Sequence, residues 1–173
     1  ITGSIQAKLI AVLLIMFGIL AATIGLNFQT FGTLDGSTPM VNQAGAQRMR
    51  AYKAATLAND YNRADAAGRE EIGPALTGVI TQFEEVQAGL ASGAEKYNLN
   101  GTQSDEVVAQ LAVVDESWTT YSDQLDIVLA SDTVSTVAVG EVNTTVPALF
   151  SKAADVVGVM NTSQISAVNL DQA

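Results

Sequence analysis

The densest group of chemically capable side chains in this sequence is cationic, because Arg48, Arg50 and Lys53 fall within six positions. No acidic residue occurs between Asp35 and Asp60, although the chain as a whole carries 18 acidic and 8 basic residues and a formal net charge of −10. A guanidinium presents a planar fork of N–H donors that suits an oxyanion. The segment is therefore a candidate site for a small anion, and a solvated helix face is the alternative interpretation.

Other kinds of chemistry find little support in the composition. The chain contains no Cys and no His, which excludes disulfides, Cys/His zinc sites, thiol nucleophiles and a Ser-His-Asp triad. The carboxylates Asp115, Glu116 and Asp123 have the spacing of a solvated helix face, and no Gly-rich phosphate loop is present. We predict that the protein is not an enzyme and holds no metal or cofactor. The acidic balance also argues against nucleic acid as a partner.

The cationic cluster lies in a helix-favouring stretch, from Met40 to about Ala67, in which small residues are frequent. On a helical wheel one side of this helix carries Arg48 among alanines, namely Ala44, Ala51 and Ala55. Small side chains let two backbones approach closely, so this side is predicted to contact another helix. The complementary prediction is that Met49, Tyr52 and Leu57 point toward the bundle interior and that Arg50 is solvated.

An unpaired guanidinium on a buried face is costly without an anion. If two copies of the helix met across a two-fold axis, their Arg48 side chains would converge and repel one another. A small anion bound between them would remove that repulsion. This hypothesis predicts a homodimer through the helix that carries Arg48, with the ligand in the interface.

A long uncharged run near the N-terminus predicts a membrane anchor. Leu9 to Leu26 contains no charged residue, and the helix can extend through Phe28, so residues 9–28 approach the ~30 Å hydrocarbon thickness. Lys8 precedes the run and the next charge is Asp35, which places the N-terminus in the cytoplasm. A cleaved signal peptide is the alternative. The predicted location is the inner membrane, with the bulk of the chain in the periplasm or outside the cell.

The remainder of the chain is predicted to form four helices. Apolar residues recur at helical spacing in residues 40–67, from 70 or 74 to 96, 105–129 and 132–170. The last segment is rich in Val and Thr, which equally suit strands, but three helices need a fourth surface to cover them. The predicted fold is all-α, with a transmembrane helix in residues 1–30 and an antiparallel four-helix bundle in residues 31–173.

Residues 41–53, VNQAGAQRMRAYK, resemble the signature of bacterial sensor domains that follow a first transmembrane helix. One group of relatives is the PilJ-type sensor domain of methyl-accepting chemotaxis proteins, with an Asn-x-Ala-Gly-x-Gln-Arg-Met core. The other is the nitrate/nitrite sensor kinases, with Asn-x-Ala-Gly-x-x-Arg-Met-x-x-Tyr-Arg. Gln47 is similar to the first pattern and Tyr52 to the second. Trp118, Tyr121 and Leu125 also resemble the third helix of PilJ-type domains.

The resemblance implies a periplasmic four-helix bundle that dimerises through its first helix. In the nitrate sensors the arginine before methionine binds nitrate across the dimer interface, and the corresponding residue is Arg48. Gly45 and its neighbours Ala44 and Gln47 are then candidate ligand contacts, together with Lys53, which stands where the nitrate sensors have arginine. The implied function is ligand sensing by a transmembrane chemoreceptor that signals by helix displacement.

A structural role is the competing hypothesis. A hydrophobic N-terminal helix that leads into a lightly charged domain is also typical of subunits of pilus-like extracellular filaments. Pilins generally carry an acidic residue at the fifth mature position, where this chain has Ile5. That difference favours the sensor without excluding the filament subunit.

Overall fold

The computed structural model of the protein describes residues 38–102, 104–131 and 133–170, with side chains as far as residue 163. The predicted membrane helix in residues 1–30 lies outside the described residues. Four α-helices occur in the described part: α1 spans residues 38–63, α2 Ala66–Ser92, α3 Asp105–Ala130 and α4 Thr136–Leu170. A short 3₁₀ helix, Glu95–Tyr97, follows α2. Within these ranges no helix is both long and apolar enough to span a bilayer.

The helix boundaries follow from local capping chemistry. The side chain of Ser104 accepts a hydrogen bond from the Val107 N–H, so α3 begins at Asp105, as the sequence predicts. Asp65 caps α2 in the same way by accepting from the Gly68 N–H. As a result α2 begins before both predicted starts and continues through Pro74. The fourth segment is helical despite its Val and Thr content, which confirms the predicted all-α class.

Large side chains of α2 and α3 fill the middle of the bundle. The rings of Phe83 and Trp118 stack with their centroids 3.6 Å apart, and Phe83 is fully buried. The Tyr121 hydroxyl donates a hydrogen bond of 2.8 Å to the Ala51 carbonyl of α1. The buried side chains that α1 contributes are mostly alanines: Ala44, Ala51, Ala54, Ala55 and Ala58. Such small residues let α1 lie close to its neighbours.

One end of the bundle is held by hydrogen bonds among its two helix connections and the helix turns that flank them. Arg69 Nη1 donates to the Ser131 carbonyl at 2.9 Å, and the Tyr61 hydroxyl donates to the Leu129 carbonyl at 3.0 Å. Asn62 Oδ1 accepts a bond of 2.7 Å from a backbone N–H of the α3–α4 connection. We call this group of contacts the clasp. The α1–α2 and α3–α4 turns therefore meet at the same end, as antiparallel up-down topology requires.

Candidate functional site

Arg48 lies half-buried on α1, at the border with α4. Its Nε donates to the Gly45 carbonyl at 3.2 Å, and its Cζ lies 5.4 Å from the centre of the Phe150 ring. No carboxylate of the described residues lies within ion-pair distance of Arg48. Neither Nη group has a hydrogen-bond partner in the same part of the chain. The edge of the guanidinium that carries these two groups is thus available to a ligand.

The orientation of α1 differs from the prediction. Met49 is 68% exposed and Tyr52 is 42% exposed, so the prediction that they point into the bundle is wrong; Leu57 is half-buried against the core. The alanine side of α1 faces the interior of its own bundle instead. The reason is volume: Phe83 and Trp118 fill the centre, so most of the side chains that α1 buries are small.

The side of α1 that remains exposed has an unusual composition for a solvated helix. We call the part of this side between residues 42 and 53 the outer face of α1; Asn42, Met49, Tyr52 and Lys53 are exposed there, and Gly45 and Ala46 are half-buried. Lys53 is the one charged residue of this set. Arg48 lies at the border between the outer face and α4. An exposed helix face that combines small and apolar side chains with so little charge is typical of a contact surface.

The candidate ligand residues are divided between two sides of α1. Gly45 and Arg48 come together, and a Cβ atom on Gly45 would lie 3.8 Å from Arg48 Nη2. Ala44 and Gln47 are each 1% exposed and face the bundle interior. Lys53 is exposed on the outer face. Arg48 and Gly45 thus form one local group, while ligand contact by each of the five residues stays a prediction.

Gln47 belongs to a buried hydrogen-bond network that joins three helices. Its Nε2 donates to the Phe83 carbonyl at 2.9 Å and to Gln87 Oε1 at 3.3 Å. Gln87 Nε2 in turn donates to the Leu111 carbonyl of α3 at 3.1 Å. These bonds connect α1, α2 and α3 and satisfy polar atoms that would otherwise be costly to bury.

Arg50 extends this network toward the surface. Its Nη1 donates to Gln47 Oε1 at 2.9 Å, and its Nη2 donates to Gln43 Oε1 at 2.6 Å. Arg50 is half-buried, so the prediction that it is solvated is wrong. Burial lowers the pKa of the Arg50 guanidinium from its ordinary value because desolvation disfavours the charged form. The sequence signal for this role is the position of Gln43 and Gln47 within two turns of Arg50 on the same helix.

We expect Gln47→Leu to lower the free energy of unfolding by about 2 kcal/mol, because the variant removes the Gln47 partner of the buried Gln87 Oε1 and of the half-buried Arg50 Nη1. Urea unfolding followed by circular dichroism measures the loss. Gln82→Leu is the control, since Gln82 is exposed on α2 and we expect it to change stability by less than about 0.5 kcal/mol. Equal stabilities of the two variants would contradict a structural role for the network.

Sequence comparison decides the family. The family described as "PilJ: Type IV pili methyl-accepting chemotaxis transducer N-term" matches residues 30–143, which include α1, α2, α3 and the signature. The chain belongs to this family. No curated protein sequence matches it significantly.

Among solved structures, this PilJ-family chain is similar to the ligand-binding domain of the nitrate receptor McpN of Pseudomonas aeruginosa. The TM-score is 0.61 at 26% sequence identity, and the match covers 73% of this chain and 97% of the McpN domain. The predicted resemblance to PilJ-type sensor domains is therefore confirmed. Together the two matches place the chain in a chemotaxis-transducer family and give it a fold similar to that of a chemoreceptor ligand-binding domain.

Proposed function

We propose that this PilJ-family domain binds a small nitrate-like anion with Arg48 at an interface between two copies of the chain. The supporting observation is the state of Arg48: a half-buried guanidinium without a carboxylate partner among the described residues, with both Nη groups free of hydrogen bonds. Two parallel N–H groups match two oxygens of a planar oxyanion.

Charge supports a local anion site on an otherwise acidic protein. The net charge of −10 repels anions at long range, but that repulsion is screened beyond ~8–10 Å at physiological ionic strength. Near Arg48 the outer face of α1 carries a second cation, Lys53, and no acid. An anion that reaches this face therefore meets a positive local field. The similarity to a nitrate receptor makes nitrate the first ligand to test.

The outer face of α1 supports the dimer. Gly45 and Ala46 allow a second helix to approach closely, and Met49, which is 68% exposed, supplies apolar surface to bury. A two-fold axis along this face brings the two Arg48 residues toward one another. The anion then neutralises a pair of guanidiniums, and neither chain alone contains the complete site. This version differs from the sequence hypothesis, since the alanine side faces the chain's own core.

Signalling follows from the position of the ligand. An anion that binds only one relative placement of the two α1 helices shifts the population toward that placement. Displacements of about 1–2 Å between helices at subunit interfaces are common in such transitions. With residues 9–28 as the membrane anchor, the domain lies in the periplasm and transmits the displacement to the membrane. It performs no chemistry and needs no cofactor. Membership of a chemotaxis transducer family favours this sensor over the filament subunit that the sequence left open.

The test is calorimetric titration of the purified full-length chain with sodium nitrate, combined with sedimentation velocity with and without nitrate. We expect saturable binding with one nitrate per two chains and a nitrate-dependent increase in the dimer fraction, because linkage requires the ligand to stabilise the species that binds it. Sodium chloride at equal ionic strength is the control. Absence of binding, or one nitrate per chain on a protein that stays monomeric, would contradict the proposal.

A further inference from the structure

Phe150 of α4 is contacted by two side chains of α1. The Arg48 Cζ lies 5.4 Å from the centre of the Phe150 ring, within the range of cation–π interactions. The Tyr52 ring meets the same phenyl ring edge to face, with centroids 5.2 Å apart at an angle of 69°. Arg48 and Tyr52 are four residues apart on α1 and hence share one edge of the helix. The Phe150 side chain therefore packs between the backbone of α4 and this edge of α1.

On the basis of the proposed anion site, we infer that Phe150 is a positioning residue. Its ring holds the Arg48 guanidinium in its anion-binding orientation. The aromatic ring attracts the flat face of the guanidinium, whereas an oxyanion binds to the N–H groups in its plane. The two interactions are geometrically compatible. The Gly45 carbonyl accepts the bond from Nε, so the ring and this carbonyl together fix the side chain and leave the two Nη groups to the ligand.

The consequence for affinity is preorganisation. A free arginine side chain samples many rotamers, and immobilising it on binding weakens a complex. When Phe150 and Gly45 restrain Arg48 before the anion arrives, less entropy is lost in the binding step. Phe150 itself does not contact the anion in this arrangement, and its effect on affinity acts through Arg48.

The position of Phe150 on α4 makes affinity depend on how α4 lies against α1. Further along the same border, Asn59 and Asn143 exchange amide hydrogen bonds, with 2.9 Å from Asn59 Nδ2 to Asn143 Oδ1. This pair joins the two helices at one register. If α4 slides along α1, the ring leaves the guanidinium and the anion site loosens. By reciprocity, a bound anion favours the register in which the ring supports Arg48.

The experiment compares Phe150→Leu with Phe150→Tyr in the full-length chain. Leucine keeps apolar bulk without a ring, and tyrosine keeps the ring. We expect the nitrate Kd, measured by calorimetry, to rise about fivefold in the leucine variant and to stay within about twofold of wild type in the tyrosine variant. In the anion-free protein, NMR relaxation of the Arg48 Nε–Hε group should show greater mobility in Phe150→Leu and wild-type mobility in Phe150→Tyr.

Val157→Ala is the matched control, because Val157 is a half-buried residue of α4 that packs against the core two turns after Phe150. We expect it to lower the melting temperature without changing the nitrate Kd or the mobility of Arg48. If wild type binds nitrate and Phe150→Leu binds equally well with unchanged Arg48 mobility, the role of Phe150 is overturned while the anion site stands. If wild type binds no anion, the proposed function fails. The proposal that Phe150 positions Arg48 for an anion then fails with it.

Discussion

Replacing Arg48 with glutamine will raise the nitrate Kd about 100-fold, equivalent to a loss of ~3 kcal/mol of binding free energy. Glutamine removes the positive charge and the two free Nη donors while keeping a polar side chain of moderate length. We expect Arg48→Lys to retain charge without the planar fork and to raise Kd about tenfold. Calorimetric titration measures both constants.

Arg63→Gln provides the matched control on the same helix. Arg63 is 72% exposed and forms an ion pair of 3.7 Å with Asp60, an arrangement that contributes little to stability or to ligand binding. Its variant should bind nitrate as wild type does. An equal loss of affinity in Arg48→Gln and Arg63→Gln would indicate a general charge effect and contradict a specific site at Arg48.

Replacing Phe83 with alanine will lower the free energy of unfolding by about 4 kcal/mol, the range found when a large aromatic side chain is removed from a core. Phe83 is fully buried and stacks on Trp118, so the alanine variant leaves a cavity in the core. Urea unfolding followed by circular dichroism measures the loss. The chain concentration is held fixed and nitrate is omitted, since the proposed dimerisation and ligand binding would both stabilise the folded state.

Val137→Ala is the control for this substitution. Val137 is 71% exposed on α4, and we expect its variant to differ from wild type by no more than about 0.5 kcal/mol. The protein has a single tryptophan, so Trp118 fluorescence reports directly on the environment that Phe83 occupies. A Phe83→Ala variant as stable as Val137→Ala would show that the stack does not carry the core.

Much of the fold was accessible from sequence because α2 and α3 have regular apolar stripes. Eight apolar residues at helical spacing predict the buried side of α3: Val107, Val108, Leu111, Val114, Trp118, Tyr121, Leu125 and Val128. All but Val108 are buried. The start of α2 was missed because Gly73 and Pro74 suggested a break, whereas Asp65 supplies a cap further upstream. Pro74 lacks a backbone N–H and so disfavours a helix locally. The packing of α2 in the bundle outweighs this preference, and the helix continues through Pro74.

The candidate site was harder to orient. A helical wheel gives the angle between Arg48 and its neighbours but not which side faces the core, and large apolar residues such as Met49 and Tyr52 normally mark the interior. In this bundle the rule is reversed, because bulky side chains of α2 and α3 take up the volume next to α1. Arg50 was misplaced for a different reason: its hydrogen bonds to the half-buried Gln43 and the buried Gln47 hold it against the bundle.

The clasp at one end of the bundle has a mechanical consequence for a sensor. Because Tyr61 donates to the Leu129 carbonyl of α3 and Asn62 accepts a hydrogen bond from the α3–α4 connection, the last turn of α1 is tethered to its neighbours. A tilt of α1 about this end displaces each residue in proportion to its distance from the pivot. Arg48 lies ~22 Å from the pivot and the first described turn of α1 ~37 Å from it, at 1.5 Å per residue. Such a tilt would enlarge a movement at Arg48, the proposed anion site, by about 1.7-fold at the opposite end of the helix.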